Sequence, residues 1–218
     1  MEVNLTSSMR YYCADDFVSM DQRFRTQLIN SMPGMKSVNL VGTKSEDGFE
    51  NLAIFNSVFH VGANPPFLGM VIRPDSVDRH TWNNIQATGC YTLSQVSAGY
   101  ASAAHQTSAR YSKEQSEFTE VGFTAEYKKD FYAPFVGESV VSIGLKYEEH
   151  YRVKANNTLV VIGKIGHLLI QEGLISEDGF VDLAKGNVLS CIGLDAYCTS
   201  DLINRFAYAK PDLPPRKL

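Results

Sequence analysis

Long apolar runs are scarce in this chain. The longest, Leu159 to Ile170, is broken by Lys164 and His167 and is too short to cross a bilayer as a helix. Met1-Glu2-Val3-Asn4 lacks the cationic region and apolar core of a secretion signal, so the protein is expected in the cytoplasm with no membrane partner. Cationic excess is missing too. Twenty Lys and Arg stand against 24 Asp and Glu, a net charge of -4. The basic residues are scattered, and nucleic-acid binding, which needs them clustered, is excluded. The four cysteines, Cys13, Cys90, Cys191 and Cys198, show no C-x-x-C spacing and read as reduced thiols. The five histidines are equally dispersed, so no metal site is expected. No G-x-S-x-G elbow, H-E-x-x-H pair or P-loop occurs, and the glycines at 163 and 166 do not fit the dinucleotide pattern.

What is present is an ordinary globular composition, 44% hydrophobic and 20% charged in 218 residues. A chain of this length buries roughly 70 to 75% of its unfolded surface, and one domain over 1–218 is expected. Phe17, Met20, Phe24 and Leu28 recur at helical spacing and predict a helix from about Asp16 to Met32, stopped by Pro33-Gly34. The period then shortens. Segments 37–43, 51–59, 67–72 and 90–94 are β-branched or aromatic and bounded by turn formers, and 139–148 alternates as a half-buried strand. Leu159 to Leu169, apolar on both faces, is expected centrally or at an interface, with Asn156-Asn157 making a hairpin turn before it. Short helices are expected at Thr81 to Thr88, Tyr100 to Arg110 and Asp201 to Tyr208, and an extended tail from Pro211 to Leu218. Many strands and few helices point to a mainly β fold, a closed or partly closed barrel.

The chemistry gathers between residues 51 and 94. A strand ending at Arg73, then a helix start at Arg79-His80-Thr81, sets guanidinium groups and a hydroxyl beside uncapped backbone N–H donors, which is an anion site in the making. Asn84, three residues after Thr81, shares that helical face. From this segment alone a solvated helix cap is an equal alternative. Asn51, Ala53, Asn56 and Ser57 supply small polar edges without bulk, with Phe55 beside them, and their pairing with the arginine segment fits a planar, phosphorylated ligand.

The order N-L-A at 51–53, Ser57, N-P-P at 64–66, Arg73, R-H-T-x-x-N-I at 79–85 and T-G-x-Y at 88–91 resembles the flavin reductase-like family with its FMN-binding split barrel. The resemblance continues through Ser116-Glu117-Phe118, Gly122-Phe123-Thr124, Asp178-Gly179 and Gly193-Leu194 and so covers about 35–198. It implies a Greek-key split β-barrel, a homodimer, and FMN as cofactor. It places Asn51, Leu52, Ala53, Phe55, Asn56 and Ser57 at the ring and ribityl groups, and Arg73, Arg79, His80, Thr81 and Asn84 at the phosphate, converging on one dianion. A weaker local match adds His105, Thr107 and Ser108, whose alternative is ordinary polar capping at an exposed helix end. The implied activity is hydride acceptance from NAD(P)H at the flavin and electron delivery to an unidentified acceptor.

Three departures stand out. Ile54 replaces a frequent proline, and His80 a frequent aspartate. At Asn156-Asn157-Thr158 the chain lacks the G-D-H of two-component reductases, which favours a non-catalytic, flavoredoxin-like carrier as the alternative; a haem or deazaflavin in the same groove is a third reading. His167, on the apolar face with Leu159, Val161, Ile165 and Leu169, reads as a structural histidine rather than a substitute.

Overall fold

The computed structural model describes residues 9–74 and 78–218; Met1-Glu2-Val3-Asn4 and residues 75–77 of the arginine segment lie outside them. In chain order the elements are α1 (Ala14–Ser19), α2 (Gln22–Ser31), β1 (Lys36–Ser37), β2 (Asn39–Lys44), β3 (Glu50–Phe55), β4 (Val58–Ala63), β5 (Pro66–Ile72), α3 (His80–Thr88) and β6 (Cys90–Gln95). Then come α4 (Ala101–Gln106), α5 (Glu117–Val121), β7 (Ala125–Glu126), β8 (Phe135–Val136), β9 (Val141–Arg152), β10 (Leu159–Ile170), β11 (Ser190–Ile192) and β12 (Ala196–Cys198).

Seven strands form one antiparallel sheet in the order β3-β2-β6-β9-β10-β5-β4. β3 and β4 are therefore its opposite ends, yet only Asn56 and Ser57 separate them in the chain. Two residues cannot cross a flat sheet of that width, given strands about 4.8 Å apart. The sheet must curl until its two edges meet, and the result is a Greek-key barrel left unlaced between β3 and β4. Among the described residues no helix is long and apolar enough to cross a membrane.

The barrel interior is filled by Val41, Met70, Tyr91, Leu93, Leu145, Leu159 and Val161, and α3 plugs it with Trp82 and Ile85. Glycine permits the closest approaches: a methyl group at Gly163 would overlap the Tyr91 hydroxyl. Outside, Leu40 and Leu52 pack with Ala104, Phe118 and Leu189 in a second core that holds α4 and α5 against the back of β2 and β3. Gly89, left-handed at φ 69, ends α3 where expected. The β9–β10 hairpin turns at Asn157, φ 59, and β10 lies centrally between β9 and β5.

Four expectations are corrected. The N-terminal helix is two, because Met20 is extended and the Asp21 carboxylate accepts from Phe24 N at 2.9 Å to start α2 afresh. Residues 201–208 are not helical. Their backbone pairs with the tail instead, Ala207 N to Arg216 O at 2.9 Å and Leu218 N to Arg205 O at 3.0 Å, while the Arg205 guanidinium is held by Asp178 and Phe180. The tail accordingly folds back on that segment. His167 does not share a face with Leu159, Val161 and Ile165: the register jumps between Ile165 and His167, and Gly166 is the extra residue. The bulge turns His167 outward onto Phe131, with ring centroids 4.9 Å apart.

Candidate functional site

α3 is anchored by what it buries. Trp82 is 3% exposed and Ile85 wholly buried, which fixes the helix against the barrel interior. The N-cap, Arg79, makes no side-chain capping bond, so the first-turn amides of α3 carry their donor capacity and partial positive charge outward. Arg79 donates from Nη2 to Pro74 O at 3.4 Å, which brings its guanidinium beside the residue that follows Arg73. Its Nε is buried with no hydrogen-bond partner among the described residues. Arg73 itself is exposed. His80 stands 3.6 Å from the Asp78 carboxylate, which also accepts from Asn83 Nδ2 at 2.5 Å.

Thr81 and Asn84 behave differently. Asn51 Nδ2 donates to Thr81 Oγ1 at 3.0 Å and to Thr43 Oγ1 at 3.3 Å, and Asn84 Nδ2 donates to the same Thr43 oxygen at 3.1 Å. All four side chains are buried. The expected cluster of cations and hydroxyls is therefore two clusters. Asn51, Thr81 and Asn84, with the unforeseen Thr43, lock α3 to β2 and β3, while Arg79 turns toward Pro74, next to the exposed Arg73, and His80 turns toward Asp78.

Along β3, Leu52 is wholly buried in the outer core. Its N–H donates to Glu117 Oε2 at 2.9 Å, so neither group is open to a ligand. Glu117 is itself buried, and that burial pushes its carboxyl above the ordinary range; the Leu52 N–H and the nearby His80 pull the other way. Ala53 and Phe55 are half-buried, Phe55 packing on the barrel interior. Asn56 Nδ2 donates to Gly193 O at 2.8 Å, and Ser57 Oγ donates to Asn56 Oδ1 at 3.2 Å. The strand is thus tethered at both ends of the segment 52–57; residues 53–57 are all partly open, with Ile54 packed on the outer core and Asn56 bonded to Gly193, which leaves Ala53, Phe55 and Ser57 as the positions for a ligand.

The second group is held on α4. His105 Nδ1 and Tyr197 Oη lie 2.8 Å apart, Thr107 is buried and its hydroxyl donates to Ala104 O at 2.8 Å, and Ser108 is exposed. Thr107 caps its own helix; His105 reaches β12.

A pocket of about 320 Å³ opens between the β2–β3 turn, α3 and residues 112–115. Its wall carries Glu46, Asp47, Glu50 and Asp78 against Lys113 and His80, so it is acidic. A dianion is repelled there and drawn to the arginine side of the α3 start. The unpartnered Arg79 donor, the uncapped amides and the positive end of α3 fit a terminal phosphate.

The family model described as the flavin reductase like domain matches residues 34–183. A Shewanella frigidimarina crystal structure described as a flavin reductase with split barrel domain is 43% identical, covering 92% of this chain and all of its own, with a TM-score of 0.89. Nitrilotriacetate monooxygenase component B from Bacillus cereus shares 18% identity over 90% of this chain and 98% of its own, TM-score 0.78. Flavoredoxin of Desulfovibrio vulgaris shares 20% over 97% and 98%, TM-score 0.67.

Proposed function

We infer the function from one premise: the chain belongs to the flavin reductase-like family. From it we propose that the protein binds FMN at the split of the barrel. In this reading Arg73, Arg79 and the first amides of α3 hold the phosphate, while Ala53, Phe55 and Ser57 border the ring; His80, in the wall of the acidic pocket beside Asp78, is left out of the phosphate set. Asn51, Thr81 and Asn84 act behind them, fixing α3 against β3, and His105 with Tyr197 flanks the far side. FMN would supply the hydride-accepting chemistry, and the chain supplies binding, orientation and electrostatics. The activity proposed is oxidation of NAD(P)H with delivery of electrons to a separate acceptor.

The observation that carries this reading is the Arg79 guanidinium, buried at Nε without a partner among the described residues, beside a helix start that its N-cap side chain does not cap. A buried donor of that kind is costly unless something binds it. Titration of the protein with FMN, followed by quenching of flavin fluorescence, tests it directly: saturable binding supports the proposal, and its absence removes it.

A second reading has its own observation. The β9–β10 turn contains Asn156, Asn157 and Thr158 and no histidine, so a flavoredoxin-like carrier that does not oxidise nicotinamide is the alternative. Steady-state NAD(P)H oxidation with added FMN separates the two. A homodimer is proposed as well, because α1 and α2 bury no residue and leave Phe24, Ile29 and Met32 exposed. Sedimentation velocity measures it.

A further inference from the structure

β3 ends the sheet on its side, so alternate backbone groups along it face away from β2. Such an edge is free to slide, fray or pair with another strand unless something occupies it. Here it is occupied at one point. Glu117, the first residue of α5, reaches across 65 positions of sequence to accept the Leu52 N–H at 2.9 Å. Glu117 is 6% exposed, and the next residue, Phe118, packs with Leu52 in the outer core. A buried carboxylate is retained only where it has a partner, and the partner here is the backbone of the strand proposed to border the ring. Leu52 sits between Asn51, which locks α3, and Ala53, the first partly open position.

We propose that Glu117 is a positioning residue of the flavin site, clamping the Leu52 amide so that the strand from Ala53 to Ser57 keeps the course a flavin ring rests on. The inference rests on the flavin reading above. Glu117 does not touch the cofactor: its whole effect passes through the Leu52 N–H. A rival route exists through His80, which feels the same carboxylate and follows Arg79 at the start of α3, where the phosphate is proposed to bind. The two routes differ in what they predict for riboflavin, which has the ring and ribityl chain but no phosphate.

The test is titration of the full chain with FMN and with riboflavin, for wild type, Glu117→Ala and Glu117→Gln, alongside thermal melting. Glu117→Ala should weaken both flavins alike, by about tenfold, the size of one lost hydrogen bond to a charged group. Glu117→Gln keeps an acceptor for Leu52 and should restore both to within about threefold of wild type on the same scale. Three results would overturn the clamp: a folded Glu117→Ala that binds both flavins as wild type does, a loss confined to FMN, or a Glu117→Gln as weak as the alanine. If Glu117→Ala does not fold, the glutamine arm still decides, since a tenfold loss there contradicts the clamp and retention supports it. A wild-type chain that binds neither flavin overturns the flavin reading itself, a distinct outcome from altered variants of a binding-competent protein.

Discussion

The two sides of α3 carry similar residue types and put them to opposite uses. On the inner side, Asn51, Thr43, Thr81 and Asn84 bond to one another within 3.3 Å and are buried, with Asn51 and Asn84 only at the floor of the acidic pocket. On the outer side, among the described residues, Arg79 holds a buried donor with no partner and gives its helix start no side-chain cap. Polar groups that complete each other hold structure, and those left incomplete are where a ligand can gain. The distinction lies in geometry, since Thr81 and His80 are neighbours in the chain.

The largest effect that would break this comparison is on the outer side. Arg73→Ala combined with Arg79→Ala removes charge-assisted bonds of about 1.5 to 3 kcal/mol each, so FMN affinity should fall about a hundredfold or more while the melting temperature stays near wild type. Fluorescence titration and a melt on the same samples check both halves. On the inner side the pattern should reverse. Thr43→Val strips the shared acceptor from Asn51 and Asn84 and should cost about 2 kcal/mol of stability, read by urea unfolding. Smaller and pH-dependent is Glu117→Gln. Because burial raises the folded carboxyl above its unfolded value, the associated stability is full below the ordinary carboxylate range and lost as pH rises through the raised value. Glu117→Gln should therefore melt above wild type at pH 7, with the gap closing as pH falls to about 4. Least of all, His167→Phe, on the Phe131 side of the bulge, should leave FMN affinity within about twofold.

Much of this was legible from local signals. The strands at 67–72 and 90–94, the β9–β10 turn at Asn157 and the stop of α3 at Gly89 depend on residues close together in sequence and appear where expected, whereas the segment 51–59, expected as one strand, breaks at Asn56-Ser57 into β3 and β4 at opposite edges of the sheet. The cationic helix start was legible for the same reason, since Arg79 and His80 sit at a helix boundary. The inner cluster was not. Thr43 is one hydroxyl between Gly42 and Lys44, 41 positions from Asn84, and nothing near it in sequence announces the bond. Leu52 was taken for a ligand contact because it belongs to a motif, whereas strand alternation turns it into the outer core. Glu117 stood inside a recognised motif, but its role depends on a backbone N–H supplied from another element. Single residues also redirected whole segments: Gly166 reversed the facing of His167, and Asp21 cut a periodic helix in two. At 201–208 the local pattern lost to a tail that offered the backbone other partners.

The two-residue passage from Phe55 to Val58 sets a limit of its own. Three consecutive Cα steps span at most about 11 Å, so the slit between the barrel's ends cannot gape beyond that at this point, whatever enters it. Its width there is governed by covalent reach and not by how many hydrogen bonds happen to form. Lengthening the passage by even a few glycines would remove that bound and convert a gauge of fixed opening into a hinge.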